Sequence, residues 1–318
     1  MLQPLVSIII PTYNRASQIG ETIDSVISQS YSNWECLIID DGSSDYTEDL
    51  LDFYCKRNSK IKFYKRDSSP KGAPHCRNIG LDKAQGQFCI FLDSDDILLD
   101  FCLEERVKKT KIGEKNDFWV FPMYVKNTYG KYQLMEIPQK ESYLEDFLKC
   151  KVHWQTMCTL WDINFVRSIS GFKENYLRLN DPEIHIRAMV HSIRNYTVFW
   201  DSKPDSVYRP AILKVGTNLS FKYYQSLMLF IPDLSSLLKE NSLSHLRHNL
   251  KGYLNDYLRE SFRFISRQNN LRLFMVFYKN RILTFYQLLL LAIQYYLLLG
   301  FDVSAKKVRR GIHKLLEL

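Results

Sequence analysis

The sequence predicts an α/β protein: a mostly parallel sheet flanked by helices, with an all-helical C-terminal region. Three observations predict it. Short β-branched runs alternate with stretches of helical period through the first hundred residues, the pattern of βαβ units. Those runs are continuously apolar, as strands covered on both faces are. Beyond Asn218, Leu, Tyr, Phe and Arg dominate while Gly and β-branched residues thin out. Two domains are expected, residues 1–216 and residues 217–318.

The elements follow in order. Residues 6–10 (Val-Ser-Ile-Ile-Ile) form a buried strand that ends at Pro11, where a missing N–H suits a strand end. Ile19, Ile23, Val26 and Ile27 recur at helical spacing within residues 17–30. Residues 34–39 form a second strand, a helix runs through Leu50, Leu51 and Tyr54, and residues 61–64 form a third strand. Residues 75–84 read as a helix and residues 88–92 as a fourth strand. Residues 117–121 and 156–161 read as further strands, with a short helix near 164–168. Asp181-Pro182-Glu183 reads as a helix start running to about Ser192: Asp as N-cap, Pro at the first helical position, an acid in the first turn.

Composition narrows the class. The chain has 318 residues, 46% hydrophobic and 25% charged, which excludes a disordered chain and a polytopic membrane protein. Its net charge of +8 is unevenly placed. Residues 219–318 carry 15 Lys+Arg against 6 Asp+Glu, and the rest carries 28 against 29. A basic end of this kind suits an anionic surface. Seven cysteines at irregular spacing, with no C-x-x-C, argue against disulfides or zinc and for a reducing compartment. No signal peptide is expected, because the run 5–10 is too short and lacks a basic flank. Residues 283–301 carry no charge, and Lys306, Lys307, Arg309 and Arg310 follow. Gln287 and Gln294 share a face there. A buried or dimer-interface helix, a helix lying on a membrane and a span are the alternatives. The basic excess favours contact with anionic lipid.

Ligands of an open parallel sheet bind at the carboxyl ends of its strands. Pro11-Thr12-Tyr13-Asn14, Asp40-Asp41-Gly42-Ser43 and Asp93-Ser94-Asp95-Asp96 fall at those ends. Three carboxylates in four residues repel one another. A solvated acidic loop is one resolution. A hard divalent cation shared with phosphate oxygens is the other. The first turn has no G-x-G-x-x-G, and no P-loop occurs anywhere, so dinucleotide and P-loop chemistry are set aside.

These blocks, with Arg77-Asn78-x-Gly80 between them, resemble the inverting family-2 glycosyltransferases over roughly residues 5–200. The resemblance implies a GT-A fold, a nucleotide-sugar donor, UDP above other nucleotides, and a divalent metal, Mn²⁺ or Mg²⁺. It implies that Pro11, Thr12, Tyr13, Asn14, Asp41, Arg77, Asp93 and Ser94 bind the donor. Asp41 would face the base, and Asp93 and Asp95 the metal. Asp96 would assist, or cap the following helix, which is the preferred reading. Asp181 would be the catalytic base, although the acidic residue usual before it is Asn180 here. His153, Trp154 and Gln155 would lie on the acceptor side, with His153 also a candidate metal ligand and Trp154 equally a core residue. His185 and Arg187 would face the donor phosphates. The processive signature Gln-x-x-Arg-Trp is missing, so a single addition to a growing glycan or lipid-linked acceptor is implied. The expected place is the cytoplasm, at the inner membrane face, with residues 219–318 touching lipid and a homodimer allowed.

Three rivals remain at this stage. A sugar-nucleotide nucleotidyltransferase would need an early Gly-rich basic loop, which the sequence lacks. A degenerate transferase serving as an assembly protein fits the Asn180 departure. Nucleic-acid binding by the basic helices lacks any motif.

Overall fold

A computed structural model of the chain describes residues 3–66, 69–110, 116–192, 195–210 and 216–300. The expected alternation is present: β1 (Val6–Thr12), α1 (Ile19–Ile27), β2 (Trp34–Asp40), α2 (Thr47–Arg57), β3 (Ile61–Lys65), α3 (Ala73–Lys83) and β4 (Phe88–Phe91). After it come β5 (Ile97–Leu98), α4 (Cys102–Lys109), β6 (Phe118–Val120), β7 (Met123–Lys126) and β8 (Tyr132–Met135). The chain continues through α5 (Leu144–Leu148), β9 (Thr159–Asp162), α6 (Ile163–Ser168), α7 (Asn180–His191), β10 (Tyr196–Val198) and β11 (Ser206–Tyr208). It then forms α8 (Thr217–Glu240), α9 (Lys251–Glu260), α10 (Arg267–Lys279) and α11 (Phe285–Gly300).

Two compact units result. One comprises Met1–Lys140, His153–Glu174 and His191–Ile212; the other comprises Glu141–Val152, Asn175–Val190 and Leu213–Leu318.

In the first unit a seven-stranded sheet has the order β10-β6-β9-β4-β1-β2-β3. Strands β1 to β4 are parallel, and β9 runs antiparallel to both β4 and β6. All seven residues of β1 and of β2 are buried, which explains their unbroken apolar character. Pro11 lies inside β1 rather than ending it, and pairs in register with Ile39. The ladder with β4 stops at Ile9–Phe91, two residues earlier. The missing N–H of Pro11 therefore falls beyond that ladder. Helix α1 buries Ile19, Ile23 and Val26 as its spacing predicts. Helix α3 approaches β1 so closely that a Cβ on Gly80 would stand 2.4 Å from Ile9 Cγ2.

A second sheet, β5-β11-β7-β8, was not foreseen. Its strands are two to four residues long, too short to display a period. Beneath it Arg106 is fully buried. Its guanidinium grips Asp205 through two bonds of 2.7 Å and donates to the Met157 carbonyl at 2.8 Å. Burial works against this charge, but Asp205 outweighs it and holds Arg106 more firmly protonated than usual.

The second unit is helical. Helix α8 buries Leu227, Phe230, Ile231, Leu234 and Leu238. Its Tyr223 hydroxyl donates to Asp256 at 2.9 Å, and Tyr257 donates to Asn270, joining α9 to α10. Helix α9 packs so tightly on α5 that a Cβ on Gly252 would stand 2.1 Å from the Lys149 carbonyl oxygen. A capping box starts α11: the Gln287 side chain accepts the Thr284 N–H at 3.0 Å, and Thr284 Oγ1 accepts the Gln287 N–H at 3.2 Å. Among the described residues no helix is long and apolar enough to cross a membrane. Lys306, Lys307, Arg309, Arg310 and the side chain of Gln294 lie outside the description. All seven cysteines are free thiols.

Candidate active site

The carboxyl ends of β1, β2 and β4 lie side by side, because these strands are parallel neighbours. Thr12 closes β1. It is buried, and its Oγ1 has no hydrogen-bond partner. A buried hydroxyl in that state is costly unless a ligand completes it. Tyr13 follows with half its surface exposed. Asn14 takes a left-handed conformation, φ 51°, which asparagine tolerates better than most residues. It ties this loop to the next: its N–H donates to Ser43 Oγ and its Oδ1 accepts the Ser44 N–H, each at 2.8 Å.

The two acids after β2 have separate jobs. Asp40 folds its own turn, accepting the Gly42 and Ser43 N–H groups at 3.1 and 2.9 Å and the Ser43 hydroxyl. Asp41 is held from outside the turn. Its Oδ1 accepts Arg66 Nε at 2.5 Å and its Oδ2 accepts the Gly72 N–H at 3.0 Å.

Arg77 and Asn78 lie on α3, whose glycine allows the close approach to β1. The buried Arg77 guanidinium pairs with Asp93 at 2.5 Å and lies over the Phe172 ring at 4.9 Å. Asn78 holds the Phe172 backbone through two bonds of 2.8 Å and also donates to Glu174 at 2.8 Å. His75 meets Glu174 at 2.9 Å. Burial raises the Glu174 carboxyl, but the bonds from Asn78 and His75 outweigh it and hold the pKa below its usual value.

The acidic loop after β4 divides its carboxylates. Asp93 meets Arg77, and Asp95 meets Arg15 at 3.3 Å. Burial, then the charge of Asp93, pushes the Asp95 carboxyl up against the opposing pull of Arg15. Asp96 does not cap a helix, because the strand β5 follows it. It is buried and accepts the Arg209 N–H at 2.8 Å. Burial, then Asp93, raises its pKa well above the usual value. Ser94 is buried too, and its carbonyl accepts from Thr22 Oγ1 at 3.1 Å, as the Asp96 carbonyl does at 2.8 Å. Arg209 donates through Nε to the Asp95 carbonyl and through a terminal nitrogen to Glu21.

The structure thus brings together Thr12, Asn14, Asp41, Arg77, Asp93, Ser94 and Asp95 around one sheet edge. Sequence reasoning missed Arg15, Thr22, Arg66 and Arg209 there. Arg15 alone carried a usable signal, directly following the first block. Among the described residues no group of three or more His, Cys, Asp or Glu could hold a metal by itself, so His153 does not join Asp93 and Asp95 in one. The two aspartates nevertheless present hard oxygens, and the raised Asp95 carboxyl marks a place where added positive charge would be favoured. They fit a cation that draws its other ligands from phosphate and water. Because β9 runs backwards in the sheet, residues 153–155 precede it at this same edge. Trp154 is wholly buried there, a core ring, while His153 and Gln155 are partly exposed.

Asp181 belongs to the second unit and is the second residue of α7, not its N-cap. Leu179, at φ 67°, precedes the helix, and its carbonyl already accepts the Glu183 N–H at 3.0 Å. The helix therefore begins before Pro182. Arg187 is buried and gripped by Glu183 at 2.7 and 2.8 Å. His185 is fully buried, with Nδ1 2.7 Å from the Asp181 carbonyl oxygen. The His185 ring also packs against Phe147 of α5, with centroids 5.8 Å apart.

Comparison with known proteins follows the same residues. Residues 7–169 match the family model "Glycosyl transferase family 2". The chain is 36% identical over 162 residues to the Escherichia coli UDP-Glc:α-D-GlcNAc-diphosphoundecaprenol β-1,3-glucosyltransferase WfgD, covering 46% of this chain and 57% of WfgD. The matched stretch spans between 16% and 57% of the length of WfgD and six other similar curated relatives. Staphylococcus aureus TarS, solved with UDP-GlcNAc, superposes with a TM-score of 0.66 at 19% identity, over 86% of this chain and 80% of TarS residues 1–349. The Pyrobaculum calidifontis mannosyltransferase PcManGT, solved with GDP-Man and Mn²⁺, gives a TM-score of 0.54 at 16% identity, over 99% of this chain and 86% of that one. The fold is shared with these enzymes, and the chain belongs to glycosyl transferase family 2.

Proposed function

We propose that the protein transfers one sugar, with inversion, from a UDP-sugar to a hydroxyl of a growing glycan or lipid-linked acceptor in cell-surface glycan synthesis. The observation that carries this reading is the sheet edge itself. A buried, partnerless Thr12 hydroxyl stands at the end of β1, and Asp93 and Asp95 stand at the end of its neighbour β4. Such an edge offers hydrogen bonds to a nucleoside and charge to a diphosphate.

In this reading Thr12, Tyr13 and Asp41 receive the nucleoside, and Asp41 accepts a proton donor of the base. Arg66 and the Gly72 N–H fix the Asp41 carboxylate for that task. Arg77, held against Phe172, lies beside the diphosphate. Asp93 and Asp95 would hold a divalent cation, which offsets the charge gathering on the departing nucleoside diphosphate. Asp181 takes the proton from the acceptor hydroxyl as it attacks. Asn180 before it opens α7 without a charge of its own. The acceptor of WfgD is named as a diphosphoundecaprenol lipid. We carry a lipid-linked acceptor over to this chain. With it goes work at a membrane face, where residues 217–318 act as a helical domain against anionic lipid.

The test is calorimetric titration with UDP, GDP and UTP, with and without Mn²⁺. UDP binding strengthened by Mn²⁺, and lost in Asp95→Asn, is the expected result. Asp181→Asn keeps that binding and stops turnover with a lipid-diphosphate acceptor. Tighter UTP binding with release of pyrophosphate would replace this reading by a nucleotidyltransferase.

A further inference from the structure

Among the described residues, helix α11 buries one face and leaves an apolar stripe exposed on the other. Gln287 and Leu291 point inward and are 6% and 1% exposed. Phe285, Tyr286, Leu289 and Ile293 point the other way and are 65%, 67%, 44% and 45% exposed. Their spacing, i, i+1, i+4 and i+8, draws one stripe along the helix. A monomer surface seldom leaves such a stripe in water without a use.

The surroundings identify the occupant. Phe285 meets Tyr278 of α10 edge-on at 6.3 Å, so the stripe continues from the end of that helix. On α10, Arg272, Met275 and Lys279 are exposed at i, i+3 and i+7, opposite the buried Leu273, Phe274 and Phe277. Arg281 is exposed in the turn between the two helices. No acidic residue occurs from Ser261 to Phe301, whereas Arg263, Arg267, Arg272, Lys279 and Arg281 do. Rings and aliphatic side chains flanked by cations, with no acid between them along the chain, are what the boundary between headgroups and acyl chains receives. A protein partner would need both an apolar groove and an acidic rim. A second copy of this basic surface would repel the first.

We propose that the exposed stripe of α11, with the cations of α10 and the intervening turn, lies on the surface of a bilayer rich in anionic phospholipid. This deepens the reading of a transferase that meets a lipid-linked acceptor, because it names the surface that meets the lipid. The contact is peripheral: the stripe enters the headgroup boundary while Gln287 and Leu291 stay in the protein core.

Co-sedimentation of the full chain with phosphatidylglycerol/phosphatidylcholine vesicles tests it. The UDP-induced thermal shift is recorded on the same preparations. Wild type should bind the anionic vesicles and lose most of that binding between 0.1 and 0.5 M salt, as screening shortens the reach of each charge. Leu289→Asp/Ile293→Asp should weaken vesicle binding at least tenfold and leave the UDP shift unchanged. Arg272→Gln/Lys279→Gln/Arg281→Gln provides a second arm that spares the apolar stripe, and should abolish the preference for anionic over neutral vesicles. Vesicle binding unaffected in both variants would overturn the proposal. So would a wild-type dimer, without lipid, that Leu289→Asp/Ile293→Asp converts to monomer. A wild type that binds vesicles but shows no UDP shift would support the surface and sink the transferase reading.

Discussion

Replacing Arg106 by Met should cost the first unit a large part of its stability margin. The side chain is fully buried, and Asp205, its partner, is 2% exposed. Two bonds of 2.7 Å join them and a third reaches the Met157 carbonyl at 2.8 Å. Methionine fills similar space but leaves a carboxylate buried without its cation, a defect worth about 3–5 kcal/mol. At about 2–4 °C per kcal/mol for a body of this size, melting should fall by about 10 °C. Urea unfolding followed by tryptophan fluorescence measures it, since Trp154 and Trp161 are buried in the same unit. The double variant Arg106→Met/Asp205→Leu should recover much of the loss, because it removes both charges. A single variant within about 1 kcal/mol of wild type would refute the reasoning: an unpaired carboxylate would then be tolerated where the fold excludes water.

Two further outcomes follow from the site. Arg209→Met keeps the backbone N–H on Asp96 but removes the guanidinium bond to the Asp95 carbonyl. A charge-assisted bond is worth about 1.5–3 kcal/mol. UDP affinity in the presence of Mn²⁺, read by calorimetry, should fall about tenfold, with Arg209→Lys intermediate. An unchanged affinity would remove Arg209 from the site. Glu174 titrates below its ordinary value because Asn78 and His75 bind its charged form. A lowered carboxyl stabilises the fold above its unfolded value of about 4.3, and that help is lost as pH falls through the folded value. Urea midpoints of Glu174→Gln should therefore depend less on pH than wild type below about pH 4.3. Parallel curves for the two proteins would contradict this.

The sequence made the sheet legible where strands are buried on both faces. Val6 to Ile10 and residues 34–39 needed no partner to be recognised, because their apolar runs report burial directly. The hairpin β7–β8 escaped for the opposite reason: Tyr132, Gln133 and Leu134 are exposed, so no pattern marks them. The start of α7 escaped because Asp-Pro is a strong local signal, overridden by a left-handed Leu179 that begins the helix earlier. At the site, acids announced themselves by clustering, whereas Arg66 and Arg209, which reach them from far along the chain, did not. Arg66 is 25 residues from Asp41 and Arg209 is 114 from Asp95. Basic residues scattered among 43 Lys+Arg give no hint of which carboxylate each will meet. Thr12 looked like one polar residue among several; only the closed shell around it revealed an unanswered hydroxyl.

Gly80 stands one turn along α3 from Arg77, on the side that touches Ile9. The gap between helix and strand is thus a spacer of fixed thickness, set by a bare α-carbon. Even a methyl group would wedge the two apart and lift the guanidinium from its seat over Phe172. The seat of the Arg77 side chain can therefore be tuned from a position with no functional group at all.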